Sequence, residues 1–343
     1  MADRRRVSVP CPWCGHELDH VQPGALCACV NCLNPSFVPE DGVSEPKMVG
    51  EMGDARDAAL SSPAVAEVVS RLYGVIRALP VLPEIPQRVI SLLHDPLASL
   101  EEVARVTNED AVLTMQMLHV ANSAAYGGRT EVRDLRVACA RLGLKTVANL
   151  MWAAVNRSLY RQGPTEFRDW VVRLWDHSLA TAQCADWLAA TLGMPKTPTW
   201  FVAAIVHDVG KLVLLEVMRH RPSPAIRALA RSPEAVLRLF DTYHALAGLH
   251  VVQYMEMPLD LRATTFFHHS PDSALHFARQ AHVVAYADHL ARVAGHGSGT
   301  EAPDPTVAHP SAAALDLKDH QIRELQRQIG DHLESVLSTF ALM

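Results

Sequence analysis

The sequence predicts a mainly α protein, an all-helical body preceded by a small metal-held ribbon. Three observations predict it. Hydrophobic residues make up 49% of the chain but aromatics only 6%, so Ala, Leu and Val build the core, a composition that favours helices over strands. From residue 63 onward apolar residues recur at helical spacing. Five of the seven cysteines crowd into residues 11–32, and such crowding in a short segment reads as metal binding in a reducing compartment rather than a disulfide framework.

Residues 9–39 carry the thiols. Cys11 and Cys14 form one Cys-x-x-Cys, Cys29 and Cys32 a second, with Gly15 and Pro23-Gly24 suited to tight turns. Two such knuckles supply four thiolates for tetrahedral zinc. A segment this short lacks a core of its own, so metal would supply most of its folding free energy. Cys27 is a spare that could replace Cys29, although Cys27 to Cys32, with four residues between, fits a knuckle less well, and His16 and His20 read as bystanders. Residues 40–62, rich in Pro, Gly, Ser and acid without a period, read as a linker.

A helical body is expected over 63–294, with an N-terminal half at 63–160 and a second half at 165–294. Its first helix starts near Pro63 and runs through Val68, Val69, Leu72 and Ile76, until the three prolines of residues 78–86 break it. Short helices follow. One ends at Leu92-Leu93, Ser99 with Glu102 makes a capping box for the next, and Ala111–Ala121 carries an apolar face. Val137–Leu142 leads through Gly143 into a helix ending near Val155. Cys139 and Cys184 read as small buried hydrophobes. In the second half, helices are expected at Trp170–Leu192, Pro198–Met218, Tyr243–Met257, Arg262–His269 and His282–Val293. Residues 295–313 read as a second linker, and an amphipathic helix from 314 to 343 offers Leu317, Ile322, Leu325, Ile329, Leu333, Val336 and Leu337 to the body or to a partner.

Within this frame the stretch AIVHDVGKLVLLE, residues 204–216, stands apart. It sets His207 and Asp208 side by side in a run otherwise fit only for burial. A buried carboxylate must be paired, hydrogen-bonded or metal-bound. The doublet offers one nitrogen and one oxygen ligand, a set suited to Zn, Mn, Fe or Mg, and Lys211 stands one turn from His207. The bland alternative is an Asp-Val-Gly turn with a satisfied histidine. Further histidines and a carboxylate recur on successive helical segments: His177, His244, His268-His269 and Asp288. A helical bundle can aim such side chains at one centre, and seven nitrogen and oxygen ligands are enough for two metals sharing a bridging carboxylate.

The order H…HDxGK…H…HH…D resembles the HD superfamily of metal-dependent phosphohydrolases, most closely the ordering of its HD-GYP branch. The stretches LPVLPEIPQRVISLL, EDAVLTMQMLHVANSAAYG, VACARLGLKTVANL and YHALAGLHVVQYMEMPLDL followed by FFHH are similar to the HDOD domain, the HD-related output domain of bacterial signalling proteins. The resemblance covers about residues 76–293. It implies an all-helical regulatory or interaction module, in a family many of whose members have lost the HD ligands. Here His177, His207, Asp208, His244, His268, His269 and Asp288 all stand at ligand-type positions, and Lys211 at the family's lysine. FFHHSPDSA lacks the glutamate after the histidine pair and there is no GYP, which argues against cyclic di-GMP hydrolysis. Arg173 places a cation one turn before His177, where a third metal would want a carboxylate.

Two functions follow as expectations. The first is a cytoplasmic signalling module that binds one or two divalent metals (Fe, Mn, Mg or Zn) at the His/Asp site and acts through a protein partner, with the zinc ribbon as a second docking surface. The second is a phosphohydrolase or phosphodiesterase acting on a nucleotide or other phosphoester. In that reading His177, His207, Asp208 and Asp288 bind one metal, His244, His268 and His269 bind another with Asp208 bridging, and Lys211 steadies phosphoryl oxygens. A formal net charge of −6 argues against a nucleic-acid partner. No apolar run reaches the roughly 18–20 residues that span a bilayer, and the first residues lack the apolar stretch of a secretion signal.

Overall fold

The computed structural model describes residues 63–78, 84–93, 99–123, 126, 130–161, 165–299, 302–304 and 307–341, together with the backbone of five short strands before them. Strands β1 (Val7–Pro10) and β2 (Glu17–Val21) pair antiparallel. Strands β3 (Ala25–Ala28), β4 (Pro35–Val38) and β5 (Glu45–Pro46) form a second antiparallel sheet in that order. The expected linker therefore contributes a strand, since Glu45 and Pro46 lie opposite Phe37 and Ser36. Cys11, Cys14, Cys29 and Cys32 lie outside the described residues.

Fourteen α-helices, two short 3-10 helices (Thr165–Phe167 and Pro271–Phe277) and their connections make up the rest of the described chain. They pack as two units, one comprising residues up to Ala78 with Asp208–Ala281, the other Leu79–His207 with His282–Met343.

In the first unit, α1 (Pro63–Arg77) lies against α8 (Val209–Arg219), α9 (Pro224–Ala230) and α10 (Pro233–Tyr254). Val68, Leu72 and Ile76, spaced four apart, are buried on it, and Leu214, Leu215, Leu239 and Phe240 are buried on the others. Arg71 donates to the carbonyls of His220 and Arg221, while Ser223 bonds Glu67, which ties the start of α9 to α1. Helix α10 begins at Pro233, ten residues before the expected Tyr243. Ser232 caps it and Pro233 fills the first turn, where its missing N–H costs nothing. Helix α11 (Leu259–Phe267) follows Pro258.

Helices α8 and α10 cross with almost no space between backbones. A Cβ on Gly210 would lie 2.0 Å from the carbonyl oxygen of His244 and 2.4 Å from the Gly248 nitrogen. Only glycine at 210 permits the crossing.

In the second unit, α2 (Glu84–Leu93), α3 (Leu100–Thr107) and α4 (Ala111–Asn122) precede the long α5 (Leu135–Arg161). Helix α1 ends at Arg77, at the expected proline break, and α2 starts two residues before Pro86, because proline is tolerated in a first turn. The Ser99 hydroxyl accepts from the Glu102 amide as expected, and Asp110 caps α4 in the same way. Gly143 (φ 76°, ψ 157°) breaks the helical dihedrals inside α5, in a region that suits glycine alone. Helix α6 (Arg168–Thr191) packs on α7 (Thr199–Val206). Helix α12 (Ala278–Val293) enters this unit at His282. The short α13 (Pro310–Ala314), capped by the His309 ring, falls within the expected second linker. Cys139 and Cys184 are buried, and burial pushes the Cys139 thiol up to about 11.

The last helix, α14 (Asp319–Ala341), settles on α6 and α4. It buries Leu325, Ile329, Leu333, Val336, Leu337 and Phe340, and Phe340 lies 6.0 Å from Phe201 between ring centroids. Leu317 and Ile322 are only half-buried. Among the described residues no helix is long and apolar enough to cross a membrane.

Candidate metal centre

The single helix expected over Pro198–Met218 is two, and the break falls at the doublet. Helix α7 ends at Val206 and α8 starts at Val209, so His207 and Asp208 occupy the junction with both side chains buried. Leaving the helical ladder frees carbonyls at the end of α7, and one of them is used at once. The Ala204 carbonyl accepts from His207 Nδ1 at 2.6 Å.

In the first unit four ligand-type atoms come together. Asp208 immediately precedes α8, His244 sits on α10, and His268 and His269 follow the last residue of α11. His244 Nε2 lies 3.1 Å from His268 Nε2 and 2.9 Å from His269 Nε2. Asp208 Oδ1 lies 3.5 Å from His244 Nε2 and 3.8 Å from His268 Nε2. Two ligands about 2.1 Å from one divalent ion, at angles between octahedral and tetrahedral, stand roughly 3.0–3.4 Å apart. The spacing therefore fits ligands of a single cation.

The hydrogen bonds on the far side of the rings sharpen this. His244 Nδ1 meets the Phe240 carbonyl, and His268 Nδ1 meets the Thr265 carbonyl at 2.8 Å. A carbonyl only accepts, so each Nδ1 carries the proton and each neutral ring turns a lone pair at Nε2 toward the other ligands. Lone pairs and a carboxylate oxygen at these distances repel unless a cation or a proton lies among them. Burial, and next the Lys211 ammonium, hold His244 well below the usual imidazole range, which disfavours the proton. The His244, His268 and His269 rings, with the Asp208 carboxylate beside them, are thus a donor set suited to a metal. Lys211 Nζ is bonded to the other oxygen of Asp208. His269 is exposed while His244, His268 and Asp208 are not, so the group has one solvent-facing side.

In the second unit His177, on α6, lies fully buried with Nε2 3.1 Å from Asp288 Oδ1 on α12. Its Nδ1 donates to the His296 carbonyl at 2.8 Å. The His207 ring meets it edge-on, 5.3 Å between centroids. Here too both Nδ1 atoms are committed to carbonyls, leaving Nε2 as the ligand atom. Arg173 takes no place in either group. It is exposed, and its guanidinium lies over the Trp170 ring at 4.9 Å.

Of the seven expected His/Asp positions, Asp208, His244, His268 and His269 thus lie in one unit and His177, His207 and Asp288 in the other. What sequence reading missed is the backbone supporting them. The carbonyls of Phe240, Ala204 and Thr265 each lie three or four residues before the ring they hold, so helical spacing alone could have suggested them. The His296 carbonyl is 119 residues from His177 and leaves no such trace.

The helical body thus carries its His/Asp residues both at helix ends (His207, Asp208, His268, His269) and within helices (His177, His244, Asp288). The model of the HDOD domain matches residues 79–271, more than half of the sequence, and the chain belongs to that family. The match stops short of Asp288, α12 and α14. A crystal structure of an HDOD domain protein of unknown function from Geobacter sulfurreducens is 23% identical, with a TM-score of 0.62 over 80% of this chain and 99% of that one. Another from Shewanella amazonensis SB2B, provisionally named a metal-dependent phosphohydrolase, is 18% identical, with a TM-score of 0.53 over 80% of this chain and 99% of that one. Among curated proteins, an uncharacterized protein of Treponema pallidum (strain Nichols) is 23% identical over 216 residues, 60% of this chain. The chain spans only 41% of that relative's length.

Proposed function

We propose that the protein is a metal-binding regulatory module of the HDOD type, working in the cytoplasm and acting through a protein partner. The observation that carries the metal is the meeting of the His244, His268 and His269 Nε2 atoms with Asp208, with two of the three rings held from behind by carbonyls. One cation would sit on that set and a second on His177, His207 and Asp288. The expected bridging role of Asp208 rests on its being the residue after His207. Nitrogen-rich sets with one carboxylate suit Fe, Mn or Zn better than Mg.

Regulation is favoured over turnover by the residues around the histidine pair. Ser270-Pro271 follows His269 where a catalytic relative would carry a glutamate. The test is to load the protein with Mn or Fe and assay a generic phosphodiester and cyclic dinucleotides. No hydrolysis is expected. Hydrolysis that disappears in His207→Ala and Asp208→Ala would establish the phosphodiesterase instead.

One observation favours that second reading, the solvent-facing side of the first group at His269. A metal there would supply Lewis-acid polarisation of a phosphoester. The chain's own part would be to hold the ester beside Lys211, whose ammonium would shift from Asp208 to a phosphoryl oxygen.

For the N-terminal segment we propose a structural zinc held by Cys11, Cys14, Cys29 and Cys32. Support comes from the strand pairs. Pro10 lies opposite Glu17 and Ala28 opposite Pro35, so each Cys-x-x-Cys falls in the interval between two paired strand ends. Cys27 instead holds a ladder position opposite Ser36, consistent with its being dispensable. Zinc content should survive Cys27→Ser and be lost in Cys29→Ser; the reverse pattern would overturn the ligand set.

A further inference from the structure

The histidines of the second unit are braced from a helix that carries none of the ligands. Asn156 and Tyr160 stand one turn apart on α5, both buried and on one face. Asn156 Nδ2 donates to the Ile205 carbonyl at 2.6 Å, across 49 residues of sequence. In an unbroken helix that carbonyl would accept from the amide of residue 209. Because α7 stops at Val206, it is orphaned, and Asn156 replaces the lost donor two residues before His207. Tyr160 shares a 2.9 Å hydrogen bond with Ser178, the residue after His177, and its ring meets Trp175 edge-on at 5.6 Å, two residues before His177.

The price of this arrangement is visible. Asn156 Oδ1 is buried without a hydrogen-bond partner among the described residues, a penalty that an apolar side chain would avoid. A core asparagine that satisfies only its amide nitrogen is there for what that nitrogen holds. We propose that Asn156 and Tyr160 are positioning residues, Asn156 fixing the helix end that presents His207 and Tyr160 fixing the stretch of α6 that presents His177. The N-terminal helical half thereby sets the geometry of ligands that the HD-like half supplies. The inference rests on the metal-binding reading of these histidines.

Its test compares Asn156→Ala and Tyr160→Phe with Leu150→Ala, which removes a fully buried side chain from the same helix without touching either contact. Cobalt(II) serves as the probe. Loss of the brace should weaken cobalt binding at the second group by about 10–100-fold, the usual cost of losing support behind a ligand. It should also alter the paramagnetically shifted ring signals of His177 and His207. Leu150→Ala should lower Tm and leave both unchanged. If Asn156→Ala and Tyr160→Phe bind cobalt like the parent protein, or weaken it no more than Leu150→Ala, the proposal fails. If the parent protein takes up no cobalt, the metal reading falls, and the brace is judged in the metal-free protein. There the Nδ1–H signals of His207 and His177 must move or exchange faster in the two variants, and unchanged signals would overturn it.

Discussion

The two ligand groups are built from the same residue types but differ in what supports them. In the first, short-range carbonyls hold His244 and His268, and the histidines face one another, one of them in solvent. In the second, His177 depends on a carbonyl over a hundred residues away, and its surroundings are dry. Local helical carbonyls thus orient His244, His268 and His207, whereas His177 is oriented by tertiary structure. Local geometry survives damage elsewhere in the fold, whereas tertiary support transmits it.

The largest expected effect is on the scaffold of the first group. Gly210→Ala forces a methyl into the His244 carbonyl, so it should cost more than the roughly 1–3 kcal/mol of ordinary overpacking, and thermal denaturation should show a protein unfolded or barely folded. Gly248→Ala meets a side-chain methyl of Thr265 at 2.9 Å rather than main chain and should fall within that ordinary range. If both variants melt alike, the tight crossing is not what holds the first group together.

Next comes removal of one carboxylate from each group. Asp208→Ala leaves the largely buried Lys211 ammonium without its partner, a loss of about 3–5 kcal/mol for a broken buried pair. Asp288→Ala removes a partly exposed carboxylate facing a histidine and should cost clearly less by urea denaturation. Equal costs would erase the contrast between the groups.

Acid should then destabilise the metal-free first unit. His244 is depressed by burial and then by Lys211, and His250 is depressed to about 4, chiefly by burial. The unfolded chain protonates these rings near 6.5 while the fold resists, so the unfolded state binds more protons and stability falls as pH falls. The loss should run between about pH 6.5 and 4 and reach up to about 3 kcal/mol for His250. His250→Gln should flatten that part of the pH–stability curve; an unchanged slope would refute the assignment.

The smallest effect on stability is expected for His269→Ala. The ring is exposed, so the fold should change by less than about 0.5 kcal/mol, yet metal affinity at the first group should drop because a ligand is gone. Calorimetric titration with Mn or Zn separates the two outcomes.

Much of the helical frame was legible in the sequence because capping is local: Ser99, Pro63 and Gly143 mark their helices by their own chemistry. The start of α10 was also written there, in Ser232-Pro233-Glu234, and was passed over in favour of the apolar run further on. The break at His207-Asp208 was not legible. Apolar residues on both sides keep helical spacing, so periodicity reads straight through a junction that tertiary contacts create. The seven ligand-type positions were readable as residue types, but their division into four and three was not, because it depends on how helices far apart in sequence meet. Asn156 and Tyr160 left no signal at all, an ordinary asparagine and tyrosine on a helix without a motif.

The glycine crossing also limits how this protein can diverge. With two backbones in contact at Gly210, a larger residue there cannot be accommodated by trimming a neighbour's side chain, because the obstacle is main chain that every sequence shares. Replacing one of the histidines leaves the main-chain crossing in place, whereas losing this glycine requires the two helices to separate. In a lineage drifting away from metal binding, Gly210 should therefore outlast the ligands that its crossing brings together.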